Sequence, residues 1–298
     1  MSSFTFGRAT LVKADCLDWL AQREERSIHG VVTDPPYGLK EYEPDEQERL
    51  RAGAGHGGVW RIPPTIDGKT RSPLPRFTVL KRAEKEELKS FFTAWGELLL
   101  PTLTPGAHVM VAGHPLLIHH VASALEAAGL EPRGTIVRVT HTLRGGDRPK
   151  GAHERYEGVT VMPKSAWEPW VLVRRPISER SVAANLDRWG TGGLMRCPDC
   201  PFSDMVHAGP ARDREKEMAP HPTLKPQKLM RYLVRAVLPL GSGVVLDPFA
   251  GSGSTLAAAE AVGYRSIGVE RDQAYFEMAM KAIPKLAKLS VAAVTRSK

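Results

Sequence analysis

The sequence predicts an α/β protein built on a mainly parallel sheet, and three features carry that prediction. Short apolar runs alternate with helical patterns along most of the chain; the glycine-containing loop "DPFAGSGS" stands between such a run and a helix; and the next run, "YRSIGVERD", ends on an acid. Strand, glycine loop, helix, strand and acid in that succession form a βαβ unit of the nucleotide-binding kind.

With 298 residues the chain can build one large α/β domain with a substantial core. A hydrophobic content of 42% and a charged content of 25% are ordinary for a globular protein and argue against disorder. The formal net charge of +8 favours a polyanionic partner. Three cysteines, Cys16, Cys197 and Cys200, are too few for a disulfide framework. With no signal-like N-terminus and no apolar run of membrane-spanning length, the expectation is a cytoplasmic protein with no membrane partner.

Taken in order, "ATLVKAD", "CLDWLAQREE" and "IHGVVTD" read as strand, short helix and strand. Pro35 and Pro36 then stop the strand, since neither can donate to a ladder. From Glu41 to Arg76 charges, glycines and prolines replace any pattern; a lid over a site and a passive insertion are equal readings of that stretch. Leu88, Phe91, Phe92, Trp95, Leu98 and Leu99 recur at helical spacing in "AEKEELKSFFTAWGELLLPTL", so their aromatic rings belong to a core. "AHVMVAG" is a strand, "PLLIHHVASALEAAG" a helix ended by Gly129, and "GTIVRVTHT" a strand. "WEPWVLVRRP" is a further strand, expected to run antiparallel near "WVLVRR", and from Ile177 to Ala219 the chain reads as irregular. "TLKPQKLMRYLVRAVLP" is an amphipathic helix, after which strand "VVLD", helix "TLAAAEAVG", strand "YRSIGVERD" and helix "AYFEMAMKAIPKLAKL" close the chain.

In the glycine loop, Ala250, Gly251, Ser252, Gly253 and Ser254 let a ligand approach the backbone closely at a helix start. The spacing does not match GxGxxG and no GK[ST] follows, which argues against a nicotinamide cofactor or ATP. Glu270, closing the next strand, is placed to accept hydrogen bonds from two ribose hydroxyls. A nucleoside lacking a phosphate chain fits such a site, and S-adenosylmethionine is one.

The segments "TDPPYG", "HPTLKP" and "DPFAGSGSTLAAAEAVGYRSIGVERD", in this order, resemble the amino-group DNA methyltransferases of the permuted class, in which the catalytic segment precedes the cofactor loop. The resemblance implies a Rossmann-like methyltransferase fold with S-adenosylmethionine as cofactor. It implies catalytic roles for Asp34, Pro35, Pro36 and Tyr37, and cofactor contacts from Asp247, Pro248, Phe249, Gly251, Ser252, Gly253, Ser254 and Glu270. By the same resemblance "KADCLDWL" brings Asp15 and Cys16 beside the adenine ring, and "HPTLKP" brings His221, Pro222, Thr223 and Lys225 to the methionine end. Ser254-Thr255 departs mildly from the family's two threonines. Residues 1–176 are read as the catalytic part with its insertion at 41–76, residues 177–219 as target-recognition region, and residues 220–298 as the cofactor-binding part.

The expected reaction is methyl transfer to the N6 amine of adenine in double-stranded DNA at a short specific sequence. Asp34 and the Pro35 carbonyl accept the amine's two N–H bonds, and Tyr37 stacks on an extruded base. Aspartate at position 34 is the form the family mostly associates with adenine N6; cytosine N4 is the nearest alternative, and an RNA methyltransferase or an inactive nucleic-acid-binding protein are more distant ones. Arg144, Arg148, Lys150, Arg155, Arg174, Arg175, Arg180, Arg188 and the Trp60 insertion are candidates for DNA contact. A homodimer and a cognate restriction enzyme are further candidate partners. "CPDC" at Cys197 and Cys200 has the spacing of half a zinc site, which His207 or His221 could extend; a thiol-bearing turn without metal is the preferred reading.

Overall fold

A computed structural model describes residues 2–36, 82–140, 149, 152, 154–161, 163, 165–197, 200–221 and 223–291, together with the backbone of 65–66 and 69–70. Tyr37, Pro222, Arg144, Arg148, Lys150 and most of the 41–76 insertion with Trp60 lie outside the described residues.

The chain runs through β1 (Ser3–Phe6), β2 (Ala9–Lys13), α1 (Cys16–Ala21) and β3 (Ile28–Thr33). Two short strands, β4 (Thr65–Ile66) and β5 (Lys69–Thr70), pair with each other apart from the main sheet. Then come α2 (Arg82–Thr102), β6 (Leu103–Ala112), α3 (Ile118–Ala127), β7 (Glu131–Val139) and β8 (Trp167–Arg174). The remainder comprises α4 (Val182–Trp189), β9 (Met205–His207), α5 (Asp213–Met218), α6 (Gln227–Val237), β10 (Val244–Asp247), α7 (Ser254–Ala261), β11 (Arg265–Glu270) and α8 (Gln273–Ala287).

Nine strands form one sheet in the order β1-β2-β11-β10-β3-β6-β8-β7-β9. The centre, from β2 to β6, is parallel throughout. The strand expected to be antiparallel, β8, runs against both of its neighbours, β6 and β7. The hairpin of β1 with β2 adds an antiparallel pair at one edge, which the sequence reading did not include because "SFTF" is short and only half-buried.

Strand alternation sends successive residues into two different cores. Val31, Val109 and Val111 pack with Trp19, Phe92, Trp95 and Leu99 from the helices on one face. Val32, Met110 and Ala112 pack with Leu229, Leu233, Val234 and Ala258 on the other. A sheet covered on both faces explains why its strands read as continuous apolar runs.

Residues 177–219 are more ordered than their sequence suggests. Ser181 caps α4 by accepting from the Ala184 amide, and Gly190 ends it in the left-handed region at φ 71°. Val182, Leu186 and Trp189 recur at i, i+4 and i+7, but the helix is short and only Asn185 of it is buried. Its side chain donates to the carbonyls of Pro105 and Thr191, fixing the helix to the start of β6. Among the described residues no helix is long and apolar enough to cross a membrane.

The topology also locates a site. From β3 the chain crosses through α2 to β6 on one side, whereas from β10 it crosses through α7 to β11 on the other, and β3 and β10 are neighbours. A crevice opens at the carboxyl ends of two strands whose connections diverge in this way, and ligands of open α/β sheets bind there.

Candidate active site

Both chemical segments stand at that divergence. Asp34 follows the last residue of β3, and Asp247 is the last residue of β10; the two strands pair in register, Val245 with Gly30 and Leu246 with Val31. Thr33 donates its hydroxyl to Asp247 Oδ1 at 2.7 Å, tying the two strand ends together. The acidic corner from the start of the chain and the glycine loop from its end therefore share one crevice.

Asp247 acts through the loop. Its carboxylate also accepts from the Phe249 amide at 3.2 Å and from the Thr255 hydroxyl, which braces the turn against the start of α7. Burial pushes its carboxyl up to about 6, with the donors of Thr255, Thr33 and Phe249 offsetting only part of the effect and the nearby Asp34 charge adding to it. A raised native pKa means the folded state binds the proton more tightly, so the associated stability is present below pH about 4 and is lost as pH rises through about 6. This contribution is about 3 kcal/mol, and urea melts should show it as an extra loss of stability between acid and neutral pH that is missing in Asp247→Asn.

Pro248 and Phe249 form the turn after the strand, and the Phe249 ring packs 5.9 Å from Trp95 and 6.2 Å from Phe91. Gly253 takes φ 79°, and a Cβ there would come within 2.5 Å of Ile283, so the loop tolerates only glycine at that point. Ser252 and Ser254 are buried, with their hydroxyls 3.4 Å apart.

Glu270, at the end of β11, accepts from the Gly251 amide at 2.8 Å and the Asp272 amide at 2.7 Å. Each oxygen thereby accepts one backbone amide and keeps a further lone pair for another donor. A Cβ on Gly251 would sit 3.6 Å from His221 Nε2, so a side chain there would fill the space between the loop and the "HPTLKP" segment. A glycine loop, a carboxylate bonded to its backbone and an imidazole facing it thus stand together at the ends of β10 and β11.

Asp15 caps α1, accepting from the Leu17 amide at 2.9 Å, at the end of β2 beside β11. Cys16 behind it is buried, and burial followed by the Asp15 charge pushes its thiol up to about 12. It is a packing thiol and no nucleophile. The His221 ring packs against Tyr275 with centroids 4.6 Å apart and planes tilted by 56°, and the Thr223 amide donates to its Nδ1 at 3.3 Å. Burial, then the Lys225 ammonium, hold its imidazole below the ordinary value and so neutral at pH 7.

Lys225 reaches past the methionine end foreseen for it. Its Nζ lies 2.9 Å from Asp34 Oδ2 and 3.3 Å from Glu168 Oε2. The sequence reading missed Glu168, Arg138 and Tyr275. The signal for Glu168 was a single acid in the mostly apolar strand "WEPWVLVR", buried from Pro169 onward, where a charge requires a partner.

Asp34 and Pro35 are well covered while Pro36 is exposed, so the corner presents its carboxylate from a shielded base. Arg174 and Arg175, candidates for DNA contact, are instead engaged within the protein. Arg174 pairs with Glu131 at 2.6 Å, and Arg175 donates to the Pro101 carbonyl at 3.1 Å. Cys197 and Cys200 are free thiols, and among the described residues no group of three metal-ligating side chains gathers around them.

A family model described as "DNA methylase" matches residues 28–281. The chain is 21% identical to "Type II methyltransferase M.HindIII" of Haemophilus influenzae, covering 92% of this chain and 94% of the relative. Its fold is similar to that of "PVUII DNA METHYLTRANSFERASE (CYTOSINE-N4-SPECIFIC)", with a TM-score of 0.61 and 15% identity over 96% of this chain and 88% of the other. The M1.HpyAVI-SAM complex gives a TM-score of 0.56 at 17% identity, covering 94% of this chain and 100% of the other.

Proposed function

The chain belongs to the DNA methylase family, and on that premise we propose that it transfers the methyl group of S-adenosylmethionine to the N6 amine of adenine in double-stranded DNA. The target is a short specific sequence, read with the base extruded from the duplex. One observation supports this reading: the strand that ends at Asp34 and the strand that leads into the glycine loop pair side by side, with Thr33 donating to Asp247 between their ends. Adenine is favoured over cytosine by the aspartate at position 34, on the family resemblance.

An exocyclic amine is a poor nucleophile because its lone pair is conjugated with the ring. Asp34 and the Pro35 carbonyl accept its two N–H bonds and so stabilise the tetrahedral nitrogen and the positive charge that develops on it. Consecutive prolines hold both acceptors still, so no reorganisation is needed as the charge appears. When bound, S-adenosylmethionine supplies a methyl carbon on a cationic sulfur, which departs as a neutral thioether while the methylated nitrogen gives up one proton to solvent. Glu270 and the Gly251 loop would hold its ribose, Asp15 and Cys16 would flank its adenine, and His221 and Thr223 would close over its methionine end. Tyr37 would stack on the extruded base. No covalent enzyme nucleophile is required, in keeping with the buried Cys16 thiol.

The net charge of +8 suits a DNA backbone, and residues 177–219 are the segment proposed to read the sequence. A second copy of the chain and a cognate restriction enzyme are further partners consistent with this reading.

Duplex oligonucleotides of random sequence, incubated with the protein and labelled cofactor and then digested to nucleosides, test it by mass spectrometry. N6-methyldeoxyadenosine is the expected product. N4-methyldeoxycytidine would reassign the base, and methyl transfer only to RNA, or to no nucleic acid while the cofactor binds, would overturn the proposal.

A further inference from the structure

An aspartate side chain swings about two torsions, and a carboxylate that must receive an amine in one geometry has to be held in one rotamer. The described residues around Asp34 form a line of alternating charge. Lys225 Nζ bridges Asp34 Oδ2 at 2.9 Å and Glu168 Oε2 at 3.3 Å. Glu168 Oε2 in turn lies 3.1 Å from Arg138 Nη1, and its Oε1 accepts from the Trp170 indole at 2.9 Å. Arg138 donates its remaining guanidinium groups to the carbonyls of Ala208 at 2.9 Å and Gly209 at 2.7 Å. The side chains of Lys225 and Arg138 are 8% and 6% exposed, so the line runs through the interior.

Burial alone would push the Glu168 carboxyl up; Lys225, Arg138 and the Trp170 indole outweigh it and hold it below its ordinary range, so it is ionised. A buried ion pair is weak evidence for a role in stability, because apolar residues of the same size stabilise a core at least as well. What such residues could not do is hold an ammonium against Asp34.

We propose that Glu168 is a positioning residue: anchored by Arg138 and Trp170, it holds the Lys225 ammonium against Asp34 and so fixes the carboxylate that receives the target amine. The proposal rests on the reading of Asp34 as that acceptor. It also extends to β9 and the residues after it, since Arg138 is fixed by carbonyls of Ala208 and Gly209 in the segment proposed to read DNA.

The test is steady-state methylation of a duplex by Glu168→Gln, Glu168→Asp, Lys225→Gln and the double variant Glu168→Gln/Lys225→Gln, with cofactor affinity measured by calorimetry. For Glu168→Gln, kcat is expected to fall about 10²-fold while KM for DNA and Kd for the cofactor change less than about twofold. Glu168→Asp, which keeps the charge, should recover part of the loss. The double variant should be no slower than Lys225→Gln, because Glu168 acts through Lys225. Unchanged kcat in Glu168→Gln, or losses that multiply in the double variant, would overturn the proposal. Should Glu168→Gln not fold, Glu168→Asp carries the test: wild-type kcat in that variant, or a loss undiminished when Lys225 is already Gln, overturns it. Failure of the underlying reading looks different, since the unmodified protein would then bind cofactor and methylate no DNA.

Discussion

Replacing Asp34 with alanine is expected to lower kcat for methyl transfer about 10³-fold while the affinity for S-adenosylmethionine changes less than about twofold. The carboxylate is aimed at charge that develops only as the amine attacks, so its removal acts on the transition state more than on either bound substrate. The fold should survive, because the Lys225 ammonium keeps its second carboxylate, Glu168, at 3.3 Å. Asp34 is also one of the causes that raise the Asp247 carboxyl, and its loss relieves that repulsion. A kcat within about threefold of wild type would remove Asp34 from the chemistry.

The second large effect lies at Glu270. Its carboxylate organises the Gly251 and Asp272 amides and is the only acid at the rim of the loop among the described residues that this account gives to the ribose. Glu270→Ala should weaken cofactor binding about 10²-fold or more, the magnitude of two charge-assisted hydrogen bonds. Most of this should appear as a raised KM for the cofactor, with kcat largely recovered at saturation. Calorimetric titration with S-adenosylmethionine checks it, and an unchanged dissociation constant would place the ribose elsewhere.

The cofactor side of the crevice was legible because its chemistry is local. A turn with positive φ at Gly251 and Gly253 requires glycine there, and Glu270, the acid that accepts from the Gly251 amide, closes the following strand, so the pattern is contiguous in sequence. The Asp34 corner was legible for the same reason, since two prolines after an apolar run admit few conformations. The parallel centre followed from the alternation of strands and helices.

Other features depend on contacts that no local pattern encodes. Lys225 meets Asp34 from the far end of the chain, and Glu168 joins them from a strand whose other residues, Arg174 apart, read as apolar. The motif around Asp247 marked the loop but not the direction of its carboxylate, which faces Thr33 and Thr255 within the protein. Helix α4 buries one residue, Asn185, and its sequence signals, a cap at Ser181, Val182, Leu186 and Trp189 at helical spacing and a stop at Gly190, span only two turns. Arg174 and Arg175 were indistinguishable from surface cations until their partners, Glu131 and the Pro101 carbonyl, were in place.

The most direct test is to map methylated bases by long-read sequencing in the DNA of cells expressing the unmodified protein or its Asp34→Ala variant. N6-methyladenine is expected at one short sequence with the former and none above background with the latter, at equal protein levels. Equal marking by both, or marking at ring carbons in place of amino groups, would contradict it.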